Sequence, residues 1–109
     1  MPHELPPLVQ RTLQRLIRTF APERIILFGS YAKDMTHAGS DVDLLIVADL
    51  RGDPATHNRR ARQLAADCVP RIDVVFATPQ QVASADIQKS PFLLSILGSG
   101  IVVYERTSA

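Results

Sequence analysis

The chain has 109 residues, 46% of them apolar, and a formal net charge of +1. That composition sets aside intrinsic disorder and is enough for a hydrophobic core without disulfide staples, so one domain over residues 1–109 is expected. The lone Cys68 excludes an intramolecular disulfide, no apolar run is long enough to span a bilayer, and no charged-then-apolar leader opens the chain, a pattern that reads as a soluble cytoplasmic protein.

Pro6-Pro7 ends an extended leader, and Leu8, Val9, Leu13, Leu16, Ile17 and Phe20 then draw one stripe on a helix that Pro22 stops. Arg24 to Phe28 is a short apolar run bounded by Pro22 and Gly29, the pattern of a buried strand. Gly29-Ser30 opens a short helical segment from Tyr31 to Asp34 or Met35, and Thr36 to Ser40 is a loop punctuated by Gly39. Asp41 to Val47 is a second strand, polar at its start and wholly apolar at its end.

A turn from Asp49 to Asp53 precedes Pro54. Ala61, Leu64, Ala65 and Cys68 then give a helical stripe, so a helix is expected from about Ala55 to Asp67. This setting makes Cys68 a buried structural thiol rather than a nucleophile. Pro70 separates the helix from a third strand, Ile72 to Ala77. Thr78-Pro79 has the form of a cap followed by a first-turn proline, and Pro91 starts a further helical piece that Gly98 and Gly100 end. Ile101 to Tyr104 closes the chain as a fourth strand. The expected fold class is α/β (α+β): a small mixed four-stranded sheet flanked by helices, with no repeat, linker or domain boundary.

The chemistry gathers at two places. Asp41 and Asp43 are two apart on a strand, so they share a face, while Val42 points away. If strands one and two pair antiparallel, Gly29 and the two aspartates lie at one end of the sheet. A helix-length crossover then brings a parallel third strand to start at that end, carrying Asp73 toward Asp41 and Asp43. Carboxylates this close repel unless a cation neutralises them. The plainer alternatives are a capping role at the strand start for Asp41 and Asp43, and for Asp73 an ion pair with Arg71 or with an arginine of the preceding helix.

The second place is the Gly29-Ser30 turn. Glycine permits a tight turn and close ligand approach, backbone N–H groups at a helix start hold anions, and Ser30 adds a hydroxyl. It is not a Walker A loop. Lys33 is either an offsetting charge at the phosphates or a solvated residue.

The remaining candidates carry less. His3, His37 and His57 show no ligand spacing with each other or with Cys68. Tyr31 packs beside a ligand or covers the sheet end, and Phe92 to Leu97 is core or, in part, a docking surface. Arg11, Arg15 and Arg18, and Arg59, Arg60 and Arg62, read as solvated helix faces rather than a nucleic-acid patch, since no aromatic residues interleave them.

Gly29-Ser30-Tyr31-Ala32 followed by Ser40-Asp41-Val42-Asp43-Leu44 resembles the G-S-x-A-x-G…S-D-x-D-L signature of the DNA-polymerase-β-like nucleotidyltransferase superfamily. Length, Asp73 and the closing strand look most like its minimal nucleotidyltransferases, the MNT family, over about Pro22 to Tyr104. The resemblance implies transfer of AMP from ATP with two Mg²⁺ ions. Asp41, Asp43 and Asp73 would be the metal ligands and catalytic residues. Gly29, Ser30, Lys33 and Ser40 would lie at the nucleotide. Two cations about 4 Å apart steady both the attacking and the leaving oxygen of an in-line displacement.

The resemblance also implies a HEPN-domain toxin as partner, with a tyrosine of that toxin as acceptor and this chain as antitoxin. Two other readings accompany it: an antitoxin that neutralises by contact with little catalysis, and the catalytic subunit of a small-molecule nucleotidyltransferase. A homo- or hetero-oligomer is compatible with all three. The chain departs from the signature at Asp34, which stands at the second loop glycine.

Overall fold

The computed structural model describes residues 5–36 and 39–107. His3 and His37 lie outside the described residues. Helix α1 (Pro7–Phe20) starts on a proline at its first turn and buries Val9, Leu13, Leu16 and Phe20 along one stripe. It ends at Ala21, which takes the left-handed conformation (φ 45°) and returns its N–H to the carbonyl of Ile17.

The strands are β1 (Arg24–Phe28), β2 (Val42–Val47), β3 (Ile72–Ala77) and β4 (Ile101–Glu105), and they form one sheet in the order β3-β2-β1-β4. β1 pairs antiparallel with β2 and with β4, whereas β2 and β3 are parallel. Helix α2 (Pro54–Leu64) makes the crossover that a parallel pair requires. Asp53 caps it by accepting from the Ala55 N–H at 3.1 Å. Helix α3 (Pro79–Ala83) is closed by a reciprocal capping box between Thr78 and Gln81, and α4 (Pro91–Ser99) by Ser90.

β2 is the hub of the packing, and its alternation sorts the core into two layers. Val42, Leu44 and Ile46 join Val9, Leu13 and Leu16 of α1 and Ala61 of α2 on one side. Leu45 and Val47 join Val82 of α3 and Ile96 of α4 on the other. The antiparallel β1–β2 and parallel β2–β3 pairings match those expected from the sequence.

Several boundaries differ. Residues 30–34 form consecutive hydrogen-bonded turns instead of the short helix expected there. The Met35 N–H reaches back five residues to the Ser30 carbonyl (2.9 Å), which stops a regular helix from propagating. Helix α2 ends at Leu64, short of Asp67, because the chain tightens: the Ala66 and Cys68 N–H groups bond carbonyls three residues back. Cys68 is buried in the larger core layer as expected, but beyond the helix. Gly98 lies inside α4, and Gly100 alone ends it.

Candidate active site

Asp43 stands directly opposite Asp73 in the parallel β2–β3 ladder. The pairing is fixed at its start by the Val42 N–H, which donates to the Arg71 carbonyl at 2.8 Å. Asp41 immediately precedes β2, two residues before Asp43. By alternation Asp43 shares the face of Leu45 and Val47, and Asp73 that of Val75 and Ala77, so both carboxylates rise on the α3/α4 side.

Burial, then Asp73, then Asp41 hold the Asp43 carboxyl above the ordinary carboxylate range. A positive ion placed between them would reverse that shift, and hard oxygen donors of this kind suit Mg²⁺. The donor set therefore fits a divalent cation. Asp73 and Asp41 act on Asp43, yet among the described residues no three acidic, histidine or cysteine side chains converge enough to enclose a metal. Asp73 turns one oxygen to Arg71 instead, with Oδ1 3.5 Å from Arg71 Nε. The ion pair weighed from the sequence is thus present.

The turn after β1 abuts this ladder. Phe28 is the residue opposite Asp43 in the antiparallel pairing, so Gly29 follows directly beside the aspartate. Gly29 has φ +75°, and a Cβ there would collide with the Asp43 carboxylate, Oδ2 first. Only glycine allows the turn and the carboxylate to occupy adjoining space.

Beyond it, the Lys33 N–H bonds the Gly29 and Ser30 carbonyls at 3.3 and 3.2 Å. No backbone carbonyl among the described residues accepts from Ser30, Tyr31 or Ala32. Successive N–H groups without a backbone acceptor are donors of the kind that anions take. Asp34 takes φ +54°, which explains a glycine in the family signature and why aspartate, tolerant of this region, can replace it.

Lys33 is exposed, and Ser40 is buried just ahead of Asp41. Tyr31 packs against the larger core layer and so covers the sheet end. His57 sits in an aromatic group with Phe20 and Phe76. A cleft of about 700 Å³ opens between α2 and the β3 edge, and of the three aspartates only Asp73 lines it, with Arg62 and Arg71.

Sequence reasoning missed two features. The contact between Gly29 and Asp43 depends on cross-strand register, which no local motif records. The left-handed backbone at Asp34 was foreshadowed only by the departure from glycine.

Residues 11–109 match the family described as "Polymerase beta, Nucleotidyltransferase". No curated protein matches the sequence. Among solved structures, the chain is similar to a toxin–antitoxin complex crystallised with AMP-PNP, at 21% identity and a TM-score of 0.60, with 90% of this chain and 74% of that one covered. It is also similar to a mutant form of the toxin–antitoxin MntA-HpeT, at 21% identity and a TM-score of 0.60, covering 95% and 76%. A further likeness is to a nucleotidyltransferase of Sulfolobus solfataricus described as putative, at 14% identity and a TM-score of 0.59, covering 91% and 78%. The mixed sheet and its flanking helices are the nucleotidyltransferase fold, and the chain belongs to the polymerase beta nucleotidyltransferase family.

Proposed function

We propose that this protein is an antitoxin that transfers AMP from ATP to a hydroxyl group of its toxin partner. The observation that carries this reading is the close approach of Gly29 to Asp43, which sets a turn with unclaimed backbone amides beside the facing carboxylates of β2 and β3. The toxin–antitoxin complexes among the structural neighbours support the partner class, and the resemblance to MNT proteins supports a HEPN toxin and its tyrosine.

In this reading the N–H groups of Ser30, Tyr31 and Ala32 and the Ser30 hydroxyl hold the β- and γ-phosphates, and Lys33 offsets their charge. Asp41 and Asp43 hold Mg²⁺, with Asp73 as the third carboxylate once it turns from Arg71. Bound Mg²⁺ neutralises the triphosphate and steadies charge on the leaving oxygen. The acceptor oxygen bonds to the α-phosphorus, the bond to the bridging oxygen of the β-phosphate breaks, and pyrophosphate leaves. The carboxylate of Asp73 takes the acceptor proton.

A second reading, neutralisation by contact alone, is favoured by the Arg71–Asp73 pairing. One experiment separates the two. The protein is incubated with Mg²⁺, labelled ATP and its toxin partner, and the toxin is weighed by mass spectrometry. Adducts of AMP that vanish in the double variant Asp41→Ala, Asp43→Ala support transfer. Neutralisation that persists in the double variant without any adduct sinks it.

A further inference from the structure

The ladder that places Asp43 beside the turn also places an aromatic ring there. Phe28 and Asp43 are direct partners in the antiparallel β1–β2 pairing. Side chains of such partners stand on one face with Cβ atoms about 5 Å apart. Phe28 belongs to the α3/α4 layer, packed with Ile26 and Leu45. Its own ring meets Phe92 edge-to-face, with centroids 5.9 Å apart and planes at 90°. Phe92 is 52% exposed, although it lies in the first turn of α4, fixed by the Ser90 cap and Pro91.

The capped start of α4 leaves the half-exposed Phe92 ring little freedom to move aside. An edge-to-face pair engages one edge and one face, so a further planar group can still stack on it. The ring stands beyond Phe28 on the face where Asp43 rises, with the anion-holding turn immediately after Phe28. Phosphates held at the turn therefore leave the rest of a nucleotide within reach of this ring.

We propose that Phe92, braced by Phe28, is the platform on which the base of the bound nucleoside triphosphate stacks. This rests on the nucleotidyl-transfer reading and assigns the part of the substrate that the carboxylates and the turn do not touch. A phenyl ring has no donor or acceptor for a base edge, so it holds the base by its π face without choosing among bases.

Calorimetric titration of the full chain with ATP, and separately with inorganic tripolyphosphate, both with Mg²⁺, tests this. Phe92→Ala is expected to weaken ATP binding roughly 5- to 150-fold, the range seen when a stacking aromatic is removed. Tripolyphosphate binding stays unchanged, and Phe92→Tyr restores ATP affinity. Equal ATP affinity in wild type and Phe92→Ala overturns the platform and leaves the ring to an acceptor or partner surface. Equal weakening of ATP and tripolyphosphate also overturns it, because the substitution then acts through the fold. If wild type binds neither probe, the nucleotidyl-transfer reading fails, and the platform with it.

Discussion

The two halves of the candidate site stand on different kinds of backbone. Asp43 and Asp73 are held by consecutive pairs of a parallel ladder in which Leu44, Leu45, Ile46 and Val47 are fully buried. The backbone amides of Ser30, Tyr31 and Ala32 instead sit in a run of turns closed, among the described residues, by three backbone hydrogen bonds. The ladder fixes where charge must accumulate, and raises its cost; the turn supplies donors without a fixed partner. The backbone takes positive φ where the halves touch, at Gly29, which adopts it without steric cost, and where the turn leaves, at Asp34.

The largest expected effect comes from emptying the ladder of its central charge. Asp43→Asn should lower AMP transfer by about 10³-fold, since a metal's stabilisation of transition-state charge amounts to several kcal/mol. The same change should raise the melting temperature of the metal-free protein near neutral pH. The folded-state pKa of Asp43 is raised, so its contribution to stability is complete below the ordinary carboxylate pKa and is lost as pH rises through the raised value. Melting curves across that window should fall with pH in the metal-free wild type and flatten in Asp43→Asn. Mg²⁺ should stabilise wild type most at the upper end. An unchanged pH slope in the variant would remove the ladder's electrostatic cost from the account.

Gly29→Ala tests the junction. The left-handed backbone alone costs a non-glycine residue about 1–2 kcal/mol, and the added Cβ must also displace the Asp43 carboxylate. Urea unfolding should show a lower midpoint with an unchanged slope, and tripolyphosphate binding should weaken together with Mg²⁺ binding. Loss of only one of the two would show that the halves are separable.

Arg71→Ala acts on the ladder with less force. The pair is well exposed, and such pairs contribute at most about 1 kcal/mol. Stability should barely move. Freeing Asp73 and removing a cation from its side should tighten Mg²⁺ binding by roughly two- to fivefold, the same energy read as affinity. Weaker Mg²⁺ binding would mean that Arg71 holds Asp73 in place rather than away.

The contrast between ladder and turn also explains what could be read from sequence. A strand repeats every two residues, so the face of Asp43, and the return of Asp73 to the same sheet end, followed from alternation and from the length of the crossover. The pairing of β1 with β4 and the edge-to-face ring of Phe92 did not, and the Arg71 side of Asp73 could be named only as one alternative among others. Each depends on register or helix placement set by distant packing. In the turn, local signals mark that the chain bends but not how its carbonyls are spent. A helix was expected from Tyr31 onward, and the five-residue return of Met35 to Ser30 replaced it.

Asp34 gives the smallest and sharpest test of the turn. Asp34→Gly relieves the left-handed Cβ by about 1 kcal/mol but frees the unfolded chain by nearly as much, so stability should change by no more than about 0.5 kcal/mol. That variant changes charge and backbone together. Asp34→Asn separates them, because asparagine tolerates the same φ and carries no charge. If the carboxylate opposes the phosphates, both variants should bind tripolyphosphate more tightly, by up to a few-fold at low salt. The gain should fade as salt screens it. A gain in Asp34→Gly alone would assign the effect to backbone freedom. Weaker binding in both would make the Asp34 carboxylate part of the binding site, a cation-holding group at the mouth of the turn, and would move charge from the ladder side of the comparison to the turn side.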